Sequence, residues 1–172
     1  MTLQAITVIG RDRPGIIAET TRVLADLGLN LEDSTMTLLR GHFAMMLVCE
    51  GSSASAAVEV ALGSLTADGS LTVTVRAVPE EPEQAAVGAT HVLTVHGGDR
   101  PGIVSRVAAV VADAGGNITD LTTRLAGELY LLVAEVDLPL TADAGALQSA
   151  LDTAAGELGV DVTLREVESD DL

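Results

Sequence analysis

"GRDRPGII" occupies residues 10–17, and "GGDRPGIV" occupies residues 97–104. Asp12–Ile16 recurs without change as Asp99–Ile103, 87 positions later. The match spreads outward at the same offset. Thr7-Val8 returns as Thr94-Val95, Gly10 as Gly97, and Ala25-Asp26 as Ala112-Asp113. Gly28, Asn30, Asp33, Thr35 and Leu38 return as Gly115, Asn117, Asp120, Thr122 and Leu125. Near the C-terminal end of each copy the offset becomes 89, aligning Thr74–Val78 with Thr163–Val167. One duplication and one two-residue indel around the second helix account for nearly the whole chain. Two copies are too few for a solenoid, so the reading is two tandem domains.

Each copy shows the same element order. Leu3–Ile9 alternates and is rich in β-formers, which predicts a strand. Ile16, Thr20, Val23, Leu24 and Leu27 share one helical face, as do Ile103, Val107, Val110, Val111 and Ala114. Gly28 and Gly115 follow as left-handed stops. A hairpin is predicted from Asn30–Leu38 and His42–Glu50 around Arg40-Gly41. A second helix over Ser55–Leu65 and a last strand over Leu71–Val78 complete the copy. In the second copy the second helix follows Pro139 with Thr141 as its N-cap, and the last strand covers Val160–Val167. The order β-α-β-β-α-β is ferredoxin-like, an α+β fold with two helices on one face of a four-stranded antiparallel sheet. The boundaries read as a first domain over 1–79, a linker over 80–90, a second domain over 91–168 and an acidic tail over 169–172. Pro, Glu and small residues in "PEEPEQAAVGAT" mark the linker.

Composition narrows the function. The chain has 172 residues, nine Arg, no Lys and a net charge of −16. Direct nucleic-acid binding needs a basic footprint to displace counterions, so none is expected, nor attraction to an anionic membrane. Phe43 and Tyr130 are the only aromatics, so aliphatic side chains must build the core and each small domain gains from packing on another. Cys49, the single cysteine, lies in the apolar run "FAMMLVCE" and reads as a buried, inert thiol. No secretory signal pattern and no apolar run of about 20 residues is visible, so a soluble cytoplasmic protein is expected.

The repeated string sits where the first strand hands over to the first helix. Pro14 and Pro101 suit a helix's first turn. Asp12 and Asp99 are candidate caps for its free amides. Gly15 and Gly102 allow close approach by a backbone or a small ligand. The same residues therefore describe either a well-made helix start or a cradle for a carboxylate at the positive end of a helix. No nucleophile–base arrangement stands out. His42, His91 and His96 lack metal-ligand spacing, and no cofactor is expected.

A β-α-β-β-α-β unit in which "DRPGI" opens the first helix and "GLN" or "GGN" precedes the second strand resembles the ACT domain family. The resemblance covers both copies. It is strongest to the two-ACT glycine cleavage system transcriptional repressor family, and extends to the ACT regions of some phosphoserine phosphatases and formyltetrahydrofolate deformylases. It implies a non-catalytic regulatory protein that binds a small amino acid, glycine or serine, between ACT domains. It also implies action through a protein partner such as a transcription regulator, and allows a homodimer. The alternative is a regulatory partner of a metabolic enzyme. The implied ligand residues are Asp12, Arg13, Pro14, Gly15, Ile16 and Asn30 in the first copy. In the second they are Asp99, Arg100, Pro101, Gly102, Ile103 and Asn117. Turn chemistry after a helix stop explains Asn30 and Asn117 equally well, and a solvated strand explains Asp33 and Asp120.

Overall fold

A computed structural model describes residues 2–79 and 88–167. The chain divides into two compact units, Met1–Pro82 and Glu83–Leu172. Unit 1 contains β1 (Thr2–Arg11), α1 (Ile16–Asp26), β2 (Asn30–Leu39), β3 (His42–Gly51), α2 (Ser55–Ala61), α3 (Gly63–Thr66) and β4 (Leu71–Val78). Unit 2 contains β5 (Gly88–Gly98), α4 (Ile103–Asp113), β6 (Asn117–Ala126), β7 (Leu129–Pro139), α5 (Ala144–Leu158) and β8 (Val160–Glu166). The sheets run β2-β3-β1-β4 and β6-β7-β5-β8, with every pairing antiparallel. This is the expected ferredoxin-like arrangement, twice.

Alternation along β1 and β3 drives one face inward. Ile6, Val8, Phe43, Met45, Leu47 and Cys49 are buried against α1, where Ile16, Thr20, Val23 and Leu24 form the apolar stripe. Unit 2 repeats the pattern with Leu93, Val95, Leu132, Ala134 and Val136 against Ile103, Val107, Val110 and Val111. Both first helices stop as expected. Gly28 (φ 70°) and Gly115 (φ 75°) turn left-handed. Leu29 then donates to the Leu24 carbonyl and Gly116 to that of Val111, each at 3.0 Å, closing a Schellman motif in each copy. Arg40 (φ 50°) and Gly41 (φ 82°) both lie in the left-handed region, as a type I′ hairpin requires.

Four expectations change. The second helix of unit 1 is not continuous: it breaks between Ala61 and Gly63, and Leu62 and Leu65 drop into the core. In unit 2 the second helix is capped by Asp143, whose carboxylate accepts from the Ala146 amide at 3.0 Å, and not by Thr141. The two-residue indel falls between Leu138 and Ala144, lengthening β7 and the loop before this helix by one residue each, so the start is displaced past Thr141. Residues 88–90, expected in the linker, open β5, while 80–87 and the tail 169–172 lie outside the described residues. Strand β8 stops at Glu166, although the Val167 amide still donates to the Thr90 carbonyl at 2.8 Å.

Gly156 lies inside α5 with nothing within 4 Å of where a Cβ would sit. Gly156→Ala is therefore expected to stabilise unit 2 by about 0.5–1 kcal/mol, through lost freedom in the unfolded chain. Urea denaturation followed by circular dichroism measures it.

Candidate functional site

The repeated string forms the same structure in both units. Gly15 (φ 92°, ψ −6°) and Gly102 (φ 95°, ψ −3°) are the N-caps of α1 and α4. A proline followed by a glycine at these angles matches the central pair of a type II turn, where the second position needs positive φ. The helix thus begins one residue after the glycine, and Pro14 and Pro101 precede the cap. The cap carbonyls accept from Glu19 and Arg106, each at 2.9 Å. Among the described residues no side chain caps either helix. Asp12 and Asp99 are therefore not the caps expected from sequence. Both are exposed, and the Asp12 amide instead donates to the Gly41 carbonyl at 3.1 Å, tying the turn to the hairpin tip. Among the described residues the first amides of α1 and α4 thus have no side-chain acceptor, at the positive end of an 11-residue helix.

A side chain at either turn glycine would meet almost nothing among the described residues. Nothing lies within 4 Å of a Cβ built on Gly15, and only the Ser105 hydroxyl, at 3.9 Å, comes that near on Gly102. The glycines are required by their φ angles and not by crowding. Ile16 and Ile103 are buried in their own cores, so they anchor the turn and can offer a ligand only backbone.

The turn arginines are held differently. Arg13 donates to Glu19 at 3.2 Å. Position 19 corresponds to Arg106 in unit 2, which pairs instead with Glu157 of α5 at 3.1 Å. Arg100 lays its guanidinium 3.3–3.4 Å from where a Cβ on Gly159 would stand, at the C-terminal cap of α5. A cation there suits the negative end of that helix. Beside the first turn, the Asp68 carboxyl is held below the usual carboxylate range by the Ser70 hydroxyl and then the Ser70 amide, with Arg13 adding less. The hydroxyl makes no hydrogen bond of full geometry, so the amide, donating at 2.8 Å, is the firmer contact.

Asn30 and Asn117 are the first residues of β2 and β6. Asn30 lies opposite Glu50, which pairs with Leu3 at the beginning of β1, whereas Asp12 follows the end of that strand. Nine residues of extended chain separate the two levels, or roughly 25–30 Å. Asn117 and Asp99 stand in the same relation, through Asp137 and Thr90. No single unit brings its own asparagine to its own turn. Asn30 is also not a turn residue, because Gly28 supplies the left-handed conformation. Its amide donates to Glu32 at 2.6 Å. Glu32 and Thr119 sit where the register of β2 and β6 shifts, so each copy carries a bulge just after its asparagine. Neither bulge is signalled by a glycine.

A family model for the ACT domain matches residues 3–76 and 90–165. The chain belongs to the ACT-domain family. It carries two ACT domains in tandem, and the second match begins at the strand whose turn repeats the first. Among curated proteins, the glycine cleavage system transcriptional repressor of Escherichia coli is 28% identical over 173 residues, covering 94% of this chain and 88% of that one. A UPF0237 protein of Methanopyrus kandleri is 47% identical over 58 residues, but the match spans 34% of this chain and 64% of that protein. A crystal structure of an unknown protein from Galdieria sulphuraria superposes with a TM-score of 0.81 at 30% identity, covering 96% of this chain and 98% of the other. A candidate glycine cleavage system transcriptional repressor superposes at 0.73 with 20% identity, covering 96% and 97%, which shows the shared fold. The chain is thus a tandem ACT protein homologous to the glycine cleavage repressor.

Among the described residues no cluster of three or more His, Cys, Asp or Glu is arranged to hold a metal ion. No described helix is long and apolar enough to cross a membrane. Cys49 is fully buried, and burial, with the Glu32 charge second, pushes its thiol up. It is expected to ignore a thiol-reactive chromogen at neutral pH in the native protein and to react fully in denaturant. Rapid native labelling would contradict this.

Proposed function

We propose that this ACT protein senses a small amino acid, glycine or serine, at the Asp-Arg-Pro-Gly-Ile turns, acts in the cytoplasm, and passes the ligand's state to a protein partner in transcriptional control of amino-acid metabolism. The observation that carries the reading is the uncapped helix start. Two helices begin with no side-chain acceptor for their first amides among the described residues, each at a positive dipole end behind a left-handed glycine whose Cβ direction is unobstructed. A ligand carboxylate suits those amides. Asp12 and Asp99, not consumed as caps, stand beside the turn as partners for an ammonium group. Homology to the glycine cleavage repressor supports the regulatory role, and the excess of acids over arginines disfavours direct DNA contact.

An asparagine that completes such a site comes from another ACT unit, because its own unit holds it at the wrong end of the sheet. Its amide supplies a donor and an acceptor to the zwitterion. A thermal-shift screen of the amino acids tests the reading. A true ligand at one hundred times its dissociation constant stabilises the fold by about 2.7 kcal/mol. Glycine or serine is expected to raise the melting temperature, while their amides, lacking the carboxylate, do not. No shift with any amino acid would overturn the reading.

A further inference from the structure

One feature that the proposed ligand site leaves unused is a groove of about 700 Å³ between α4 and α5 of unit 2. It runs from Arg106, one turn into α4, to Asp113 at that helix's end. Its opposite wall is the first part of α5, with Ala146, Ala150 and Thr153. Thr141, Ala142 and Asp143 close one end. These three lie in the loop 140–143, where the second copy is one residue longer than at 52–54 in unit 1. The groove is also deepened at Ala114, where unit 1 has Leu27 packed against the core. Part of the one change of length and a loss of bulk between the copies therefore fall on this groove.

We propose that the α4–α5 groove of unit 2 is a docking site for a basic amphipathic helix of a partner protein. The site is separate from the turns, and the inference does not depend on the ligand reading. The floor is made of Val110, Leu147 and alanines, short enough for another helix to approach closely and pack along the groove. The lining covers eight positions on each of α4 and α5, about 11 Å of axis, or two turns of a guest helix. Leu140, next in sequence to the lining Thr141, is an apolar side chain 78% exposed. The charge is one-sided. Asp113 and Asp143 are exposed on the rim, and the single lining cation, Arg106, is already paired with Glu157 at 3.1 Å. The surrounding sequence reinforces the sign: residues 80–172 hold seventeen acids and four arginines, against eight and five in 1–79. An apolar seam with a negative rim complements a helix whose apolar stripe is flanked by Lys or Arg.

The test uses the full chain and two labelled synthetic helical peptides with the same Leu/Ala seam, one flanked by Lys and the other by Glu. Fluorescence anisotropy at moderate salt is expected to show saturable binding of the Lys peptide only. Ala150→Trp, which fills the groove from an exposed position, is expected to weaken binding at least tenfold, as is Asp113→Arg. Asp26→Arg, the position in unit 1 that matches Asp113, is expected to leave it within twofold. Circular dichroism confirms that each variant is folded. Failure of the Lys peptide to bind, equal binding of both peptides, or equal loss in Asp26→Arg and Asp113→Arg would overturn the proposal. So would unchanged affinity in Ala150→Trp.

Discussion

Gly10→Ala is expected to destabilise unit 1 by about 3 kcal/mol, a large share of what holds a domain of this size together. The reason is contact and not propensity. Gly10 lies near the end of β1, between Phe43 of β3 and Leu71 of β4. A Cβ built there would stand 2.1 Å from the Ser70 carbonyl oxygen and 2.9 Å from the Leu71 Cα. Both are backbone atoms, so no rotamer change relieves the clash. Relief requires β4 to move off the end of β1, breaking the bond from the Arg11 amide to that same Ser70 oxygen at 2.9 Å. Overpacking of this kind costs about 1–3 kcal/mol where side chains can adapt, and more where they cannot. Gly97→Ala in unit 2 meets the Val160 side chain at 2.9 Å and its Cα at 3.0 Å, a milder conflict. Its cost is expected to be smaller. Urea denaturation of the two single variants gives the order directly; equal or negligible losses would contradict it.

This pair also explains part of the repeat. Gly10 and Gly97 recur because β1 and β5 pass too close to a neighbouring strand end for a side chain. Gly15 and Gly102 recur for another reason, since a side chain there would meet almost nothing among the described residues and only the backbone angle demands glycine. Adjacent glycines in one repeated string thus answer to different physics, which sequence alone cannot separate.

What was legible in the sequence was local. Apolar alternation placed the strands, the 3.6-residue period placed α1 and α4, and Gly28 and Gly115 ended them where a left-handed residue was needed. Arg40-Gly41 announced the hairpin. The missed features depend on tertiary context. Asp12 looks like a cap because acids often cap helices, but Pro-Gly inserts a turn that starts the helix beyond its reach. Thr141 looks like a cap by type, while the longer loop hands that role to Asp143. The alanine-bearing stretch Ser55–Leu65 reads as one helix, yet it breaks at Leu62, which is buried together with Leu65. The separation of Asn30 from its own turn follows from strand register, which no spacing rule reports.

The second large effect is on binding. Gly15→Asp is expected to abolish amino-acid binding at the first turn, with affinity falling at least a hundredfold. Aspartate tolerates the left-handed region comparatively well, so the fold survives. Its carboxylate, however, stands before the α1 amides and takes the place of the ligand's own carboxylate. Gly15→Ala provides the control. It imposes at least as much backbone strain without a charge, so it is expected to lose stability and retain most of the binding.

The most direct test is calorimetric titration of glycine and serine into the full chain, Gly15→Asp, Asn30→Ala, Asn117→Ala, and Gly15→Asp combined with each asparagine variant. The account predicts that wild-type binding at the first turn is lost in Gly15→Asp. It also predicts that one asparagine variant weakens that same site and adds nothing once Gly15→Asp is present. Normal binding in Gly15→Asp and in both asparagine variants would contradict the account and leave the repeated string as a helix start alone.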